Sequence, residues 1–127
     1  MSEELNYIDP IDISESINKP NNFIIIDVRS QEKYELGHIP GAINIPSILF
    51  EDNINLEKIY NDYKEKTIVI HCFKSRNSGP TCARQFIAYV DSKDLIKPEI
   101  IIMKGGFEAY NSLFHDDPTK IATGIGN

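Results

Sequence analysis

The chain of 127 residues has the composition of a single soluble globular domain, with 41% hydrophobic and 25% charged residues. Its formal net charge of −6 argues against binding to nucleic acids or to acidic membrane surfaces. Two cysteines are too few for a disulfide framework, and no run approaches the roughly 20 apolar residues of a membrane-spanning helix. Because the acidic N-terminal stretch lacks the apolar core of a signal peptide, we expect a cytoplasmic protein, small enough to enter the nucleus as well.

The apolar pattern predicts strands alternating with helices in one domain over residues 7–115, between a flexible tail at 1–6 and a polar, partly disordered tail at 116–127. Strands are predicted at 7–9, 23–29, 42–46, 67–70 and 100–103. Helices are predicted at 10–20, 31–36, 56–63, 80–90 and 107–114. The second strand is almost continuously apolar, as is usual for strands covered on both faces. We therefore expect an α/β fold with an open, mostly parallel five-stranded sheet flanked by helices.

The fourth predicted strand is followed at once by His71 and Cys72, and a short polar loop then leads through Gly79-Pro80 into a helix. In parallel sheets, ligands bind beyond the carboxyl ends of the strands. The free N–H groups and the dipole of a helix N-terminus favour a thiolate and would hold a tetrahedral oxyanion against it. Cys72 is therefore predicted to be a catalytic nucleophile, the alternative being a buried cysteine that only fills space. The second cysteine, Cys82, shares a helical face with Phe86, which favours packing over a role as a resolving thiol.

The loop that follows supplies the groups predicted to bind an anionic substrate. Lys74 and Arg76 carry positive charge, although such side chains on loops are usually only solvated. Ser75 and Ser78 offer hydroxyl donors, and Ser78 also competes with Gly79 as the cap of the helix. The predicted substrate-binding set consists of Phe73, Lys74, Ser75, Arg76, Asn77, Ser78 and Gly79.

Four further polar residues are predicted to support the site structurally. Asp27 and Arg29 alternate at the end of a strand and are interpreted as an ion pair that steadies the neighbouring loops. His38 lies in a turn and is interpreted as a residue that holds the turn by hydrogen bonding. His71 and Cys72 are successive strand residues that point to opposite faces, which makes His71 a poor general base and favours a buried, hydrogen-bonded imidazole. The histidines lack the spacing of metal ligands, and we expect neither a metal nor a cofactor.

Three stretches of the sequence carry a recognisable pattern. They are His71-Cys72 with Ser75 and Gly79-Pro80-Thr81-Cys82-Ala83-Arg84, Asp27-Val28-Arg29 with Gly37-His38-Ile39-Pro40-Gly41-Ala42, and Lys104-Gly105-Gly106-Phe107. Together they resemble the rhodanese-like family, and within it the branch of the cell-division-cycle dual-specificity phosphatases and the eukaryotic arsenate reductases. The resemblance implies the rhodanese strand order and places Cys72 at the catalytic position. The loop from Cys72 to Ser78 is similar in length to that of this branch, whereas sulfurtransferases have a loop one residue shorter.

The sequence departs from this branch at the end of the loop. The phosphatases of the branch place an arginine where this chain has Ser78, and the nearest arginine here is Arg76, two residues earlier. An arginine at the loop end can bind two phosphate oxygens at once. Loss of such a preorganised donor is expected to cost about 3 kcal/mol in the transition state. The loop also has no carboxylic acid to protonate a leaving alkoxide, so phosphatase activity should be weak or should need an acid from elsewhere.

Three functions are compatible with these observations, and we rank them in this order. The first is a cysteine-dependent phosphatase of the protein-tyrosine or dual-specificity type, or an arsenate reductase. It would act through Cys72 on a phosphorylated protein or a small oxyanion, with a thiol reductant where arsenate is the substrate. The second is a thiosulfate-type sulfurtransferase that forms a Cys72 persulfide. The third is a weakly active or inactive binding module that retains only the fold.

Overall fold

A computed structural model of the protein describes residues 5–17 and 19–125. The strands are β1 (Asn6–Ile8), β2 (Phe23–Asp27), β3 (Ile43–Asn44), β4 (Thr67–His71) and β5 (Ile100–Met103). The α-helices are α1 (Pro10–Ser16), α2 (Gln31–Leu36), α3 (Asn53–Tyr63), α4 (Ser78–Ser92) and α5 (Gly106–Phe114), and a 3₁₀ helix spans Ser47–Glu51. Residues 1–4 of the expected N-terminal tail, residue 18 of the first predicted helix, and residues 126–127 lie outside the described residues. Within the described ranges, no helix is both long and apolar enough to cross a membrane.

The five strands form one sheet in the order β1-β5-β4-β2-β3, and every pair of neighbours runs parallel. The predicted α/β fold with a five-stranded parallel sheet is therefore confirmed. In the pairing of β2 with β4, Asp27 lies opposite His71, so these two strands end at the same level. The Val28 N–H continues the pairing by donating to the His71 carbonyl at 2.9 Å. The loop after Cys72 leaves the sheet at this shared carboxyl end.

The side chains of β4 alternate between the two hydrophobic layers that cover the sheet. Ile68, Ile70 and Cys72 pack in the layer formed with α3, α4 and the 3₁₀ helix. Val69 packs in the layer formed with α1, α2 and α5, and the His71 ring lies near a phenylalanine ring of α5 on that side. Strand alternation therefore directs His71 and Cys72 to opposite faces, as expected.

The helix starts differ from the prediction for local reasons. α3 begins at Asn53, three residues earlier than predicted, because the Asp52 carboxylate caps it by accepting a backbone N–H at 2.9 Å. α4 begins at Ser78, so Pro80 is its third residue and not its first. Proline is tolerated at this position because the N–H groups of the first helical turn have no partner within the helix.

The segment after α5 is held against the domain by hydrogen bonds. Ala122 exchanges two backbone hydrogen bonds with His38, at 2.9 and 2.8 Å. The Tyr110 hydroxyl donates to the Lys120 carbonyl at 2.7 Å. Both contacts join residues of this segment to earlier parts of the chain, and polar composition alone does not reveal such contacts.

Candidate active site

Cys72 is the first residue after β4, and the following loop turns its backbone back toward the sulfur. The Ser75 nitrogen lies 3.0 Å from the Cys72 Sγ and donates its hydrogen to it. A Cβ built on Gly79 would lie 3.5 Å from the same sulfur, so the first turn of α4 is in van der Waals reach of the thiol. Cys72 is 8% exposed, yet it lines a pocket that is open to solvent. Its thiol is therefore not sealed in the core.

Ser75 adopts a backbone conformation that the sequence did not predict. Its φ angle is +55°, in the left-handed region that residues other than glycine seldom occupy. This turn aims the Ser75 N–H at the Cys72 sulfur. The Ser75 side chain is buried, and its hydroxyl has no hydrogen-bond partner in the described part of the chain. Backbone conformations that are unfavourable for residues other than glycine are often found at functional sites, where they fix the position of a reactive group.

The N-terminus of α4 is left open toward the same loop. Asn77 occupies the cap position, where the sequence had favoured Ser78 or Gly79, and the Asn77 side chain makes no capping hydrogen bond. The N–H groups of Ser78 and Gly79 therefore belong to the donors that an α-helix cannot satisfy internally. α4 is 15 residues long, so its dipole adds positive potential at this end. Helix ends of this kind bind anions.

A pocket of about 360 Å³, here called the loop pocket, lies beside the thiol. It is lined by Val28, Arg29, Cys72, Phe73, Lys74, Arg76, Asn77 and Ser78. Three of these side chains are cationic, and no acidic residue of the described ranges contributes to the lining. This local positive field would attract an anion to a protein whose net charge is −6. Of the predicted substrate-binding residues, Ser75 donates to the sulfur and Gly79 lies in the adjoining turn of α4, while the other members of the set line the pocket.

The start of the loop is anchored by the N-terminus of α5. The Phe107 N–H donates to the Cys72 carbonyl at 2.9 Å, and the Glu108 N–H donates to the Phe73 carbonyl at 2.8 Å. Gly106 permits this approach, because its φ angle is +63° and a Cβ there would lie 2.4 Å from the Phe73 carbonyl oxygen. Gly106 therefore positions the cysteine loop itself.

A buried ionic network formed by Asp27, Arg29 and His71 lies next to this anchor. The Arg29 Nε and Nη2 atoms donate to the two Asp27 carboxylate oxygens at 3.0 and 2.7 Å, and Nη2 also donates to the Gly37 carbonyl at 2.7 Å. The Arg29 guanidinium lies over the Phe107 ring, 4.1 Å from its centroid. The sequence assigned Arg29 only a supporting role, but the structure also places it on the wall of the loop pocket.

Burial and charge determine the protonation of this network. Burial raises the pKa of Asp27, but the hydrogen bonds and the charge of Arg29 oppose it, and the pKa is lowered overall. Burial lowers the pKa of His71 against the opposing effect of Asp27, whose carboxylate lies 3.8 Å from Nε2. Since the buried His71 ring is then neutral at neutral pH, Arg29 is the partner that keeps Asp27 ionised. The His71 Nδ1 atom lies 3.0 Å from the Cys72 carbonyl oxygen, so His71 contacts the cysteine through its backbone.

His38 and Cys82 do not line the loop pocket. The His38 Nδ1 atom lies 2.7 Å from the Tyr34 carbonyl oxygen, and the two rings stack with their centroids 3.7 Å apart. Cys82 is buried in the core, and burial raises the pKa of its thiol to about 12, so it stays protonated at neutral pH. Among the residues that the structure describes, no group of three or more His, Cys, Asp or Glu side chains could hold a metal ion.

The model of the rhodanese-like domain family matches residues 9–113. The chain therefore belongs to this family, which confirms the resemblance inferred from the sequence. It is 34% identical over 114 residues to the dual specificity phosphatase Cdc25 of Arabidopsis thaliana, covering 88% of this chain and 77% of that protein. It is 32% identical over 123 residues to M-phase inducer phosphatase 1 of Bos taurus, covering 85% of this chain but only 23% of that longer protein.

Two solved structures show how the same fold recurs in proteins of different names. The As-Sb reductase from Leishmania major is 25% identical and superimposes with a TM-score of 0.78, over 94% of this chain and 86% of that one. The thiosulfate sulfurtransferase from Pseudomonas aeruginosa is 19% identical with a TM-score of 0.65, over 98% of this chain and 21% of that one, and shares the fold alone. The chain is thus similar to proteins named as a phosphatase and as a reductase, and it shares its fold with a protein named as a sulfurtransferase.

Proposed function

We propose that this protein is a cysteine-dependent enzyme that acts on a tetrahedral oxyanion, as a protein phosphatase or an arsenate reductase, with Cys72 as the nucleophile. The observation that carries the proposal is the Cys72 sulfur itself, which accepts the Ser75 N–H at 3.0 Å and lines a pocket with three cationic side chains. The uncapped end of α4 adds N–H donors to the same region. Similarity to the A. thaliana phosphatase and to the L. major reductase supports this chemistry.

With a phosphate ester, the reaction has two steps. The Cys72 thiolate attacks phosphorus, an S–P bond forms and the P–O bond to the substrate breaks. No carboxylic acid of the described residues lines the loop pocket, so the leaving alkoxide takes its proton from water. A second water then attacks phosphorus, breaks the S–P bond and releases inorganic phosphate and the thiolate. The loop N–H groups stabilise the negative charge on the phosphoryl oxygens in both steps.

With arsenate, the same attack forms an S–As bond and releases hydroxide, which is protonated to water. An external thiol then attacks the Cys72 sulfur, and the electrons of the S–As bond pass to arsenic. Arsenic is reduced from the +5 to the +3 state and leaves as arsenite, while Cys72 and the thiol form a mixed disulfide. A second thiol exchange returns Cys72 to its reduced form. Because Cys82 is buried and protonated, both thiols come from an external reductant.

The serine at position 78 supports a second candidate function, that of a thiosulfate-type sulfurtransferase. Ser78 lines the pocket where the phosphatases of this branch carry an arginine, and that replacement removes a donor that could bind two phosphoryl oxygens at once. Sulfur transfer needs neither that arginine nor an acid. The thiolate attacks the outer sulfur of thiosulfate, a new S–S bond forms, and the S–S bond of thiosulfate breaks to release sulfite. A thiophilic acceptor then removes the outer sulfur from the Cys72 persulfide.

The two candidates are separated by the product that each leaves on Cys72. The purified protein is incubated with thiosulfate and examined by peptide mass spectrometry, while hydrolysis of p-nitrophenyl phosphate and reduction of arsenate with a thiol are measured in parallel. Turnover of phosphate or arsenate without a persulfide supports the first function. A Cys72 persulfide without that turnover supports the second.

Matched cysteine variants identify the nucleophile in these assays. Cys72→Ser is expected to abolish all three activities, and Cys82→Ser is expected to keep them, because Cys82 does not line the pocket. Full activity in Cys72→Ser would remove Cys72 from the mechanism. An absence of all three activities in the wild-type protein would leave a binding module that retains only the fold.

A further inference from the structure

A second cavity, of about 590 Å³, adjoins the loop pocket and is here called the side cavity. The two share Arg29 and Phe73 as wall residues. The reaction steps above take place at the Cys72 sulfur and use none of the remaining residues of the side cavity. A ligand whose anionic group lies in the loop pocket can therefore extend past Phe73 into the side cavity.

The side cavity has apolar walls that are left open to solvent. Leu36, the last residue of α2, is 79% exposed, and Phe73 is 49% exposed. Phe107 and Ile121 complete this apolar lining from α5 and from the C-terminal segment. A cavity of several hundred Å³ with aromatic and aliphatic walls is the ordinary form of a binding site for an apolar group.

The polar residues of the side cavity are cationic or neutral. Arg29, Lys33, Asn111 and His115 contribute to the lining, and among the described residues no aspartate or glutamate does. His115 pairs with Asp116, which lies outside the lining, at 3.2 Å. Lys33 is exposed and has no ion-pair partner within the described ranges. The complementary ligand therefore carries negative charge next to its apolar group.

The wall between the two pockets is preformed. The Arg29 side chain is 8% exposed, held by Asp27 and the Gly37 carbonyl, and stacked over the Phe107 ring. A ligand that spans both pockets does not have to order this side chain, which lowers the entropic cost of binding.

We propose that the side cavity binds a large apolar side chain adjacent to the phosphorylated residue of a protein substrate, with an acidic residue of the same segment near Lys33. This inference rests on the proposed phosphatase function and names its substrate class. The phosphate lies in the loop pocket against Cys72, and the apolar neighbour packs between Leu36 and Phe73. A small polar thiol, the reductant of the arsenate reaction, is the competing occupant, but it would leave the apolar walls of the cavity uncovered.

Two phosphotyrosine peptides of equal length and charge test the proposal, one with leucine and one with asparagine beside the phosphotyrosine. We expect the wild-type protein to hydrolyse the leucine peptide with a kcat/KM about tenfold or more above that for the asparagine peptide. Binding of the leucine side chain in an apolar subsite accounts for a preference of this size. Leu36→Asp should bring the ratio of the two kcat/KM values close to one. Leu113→Asp is the matched control, because Leu113 is also an exposed leucine at 54% but does not line the side cavity, so its ratio should equal that of the wild type.

Equal kcat/KM values for the two peptides in the wild-type protein would overturn the proposal, as would an unchanged preference in Leu36→Asp. If the wild-type protein hydrolyses neither p-nitrophenyl phosphate nor the peptides, the proposed phosphatase function is wrong. Peptide binding to the side cavity is then measured without turnover. Amide chemical shifts of ¹⁵N-labelled Cys72→Ser are then followed during titration with the leucine peptide and with glutathione. Shifts at Leu36, Gly37 and Asn111 with the leucine peptide support the side cavity, and their absence, or shifts with glutathione alone, overturn it.

Discussion

The two ends of the cysteine loop are built differently. At its start, the carbonyls of Cys72 and Phe73 accept hydrogen bonds from α5, and a buried ionic network supports the neighbouring strand ends. At its end, Arg76, Asn77 and Ser78 are exposed, and the Asn77 side chain does not cap the helix that follows. The fold therefore fixes the sulfur more firmly than the side-chain donors that would surround its substrate. All candidate functions need the positioned thiol at the start of the loop. They differ in the groups that must bind the anion at its end.

The largest expected effect tests the ionic network at the start of the loop. Asp27→Asn removes the counter-ion of the buried Arg29 guanidinium, and we expect a loss of about 3–5 kcal/mol in the free energy of unfolding, measured by urea denaturation. Asp62→Asn is the control, since it breaks an equally short but exposed pair with Lys58 and should cause no measurable loss. An Asp27→Asn protein as stable as the control would show that the network does not support this region.

The next effect tests the anchor between the loop and α5. Gly106→Ala places a methyl group 2.4 Å from the Phe73 carbonyl oxygen at a φ angle of +63°, so we expect a loss of about 3 kcal/mol in urea denaturation, together with reduced turnover. Gly41→Ala has a φ angle of +84° and no atom within 4 Å, so it should cost only the conformational penalty of about 1–2 kcal/mol. Equal losses in the two variants would mean that close approach to Phe73 contributes nothing.

A gain of function tests the open end of the loop. Ser78→Arg introduces a bidentate phosphate donor into the lining of the loop pocket, and we expect p-nitrophenyl phosphate turnover to rise tenfold or more. Thr81→Arg adds the same charge to an exposed position of the same helical turn that does not line the pocket, so it should leave the rate nearly unchanged. An unchanged or lower rate in Ser78→Arg would count against the phosphatase function.

The smallest effect is the pH dependence of stability. The folded state holds the pKa of His71 below its ordinary 6.5, so the unfolded chain binds a proton that the folded chain does not, and stability falls as the pH drops below about 6.5. The lowered pKa of Asp27 has its effect further into acid, because its contribution is present above about 3.8 and is lost as the pH falls through the folded-state pKa.

His71→Asn isolates the first of these two titrations. Urea midpoints of this variant should change less between pH 6.5 and pH 4 than those of the wild-type protein, because the group that titrates there is gone. His115→Asn, at an exposed histidine, is the matched control for the substitution itself. A pH profile of His71→Asn identical to that of the wild type would exclude His71 as the origin of the acid sensitivity.

The parts of the fold that could be predicted from sequence are those with local causes. Ser30 caps α2, its hydroxyl accepting the Lys33 N–H at 3.3 Å, and the helix keeps its predicted bounds of 31–36. The run of isoleucines in β5 predicted a strand over residues 100–103, and the strand has these bounds. Gly105 and Gly106 both adopt positive φ angles, which glycine permits and most other residues avoid. In each case the signal lies within a few residues of the feature.

The parts that could not be predicted depend on contacts between distant residues. Arg29 reaches the loop pocket, and Leu36 and Phe73 line the same side cavity, because β2 and β4 are neighbours in the sheet. Ala122 is held by His38, far from it in the sequence. The left-handed turn at Ser75 carries no glycine to mark it, so only the packing around the sulfur reveals it.

The most direct test asks whether Cys72 reacts from within an anion-binding pocket. It measures whether a bound oxyanion slows the alkylation of Cys72. The wild-type protein is treated with iodoacetamide at neutral pH, with and without phosphate, arsenate or thiosulfate, and each cysteine is quantified by peptide mass spectrometry. We predict that Cys72 is alkylated while the buried Cys82 is not, and that at least one of the three anions slows the alkylation of Cys72. Alkylation of Cys72 at the same rate with and without all three anions, or no faster than that of Cys82, would contradict the account.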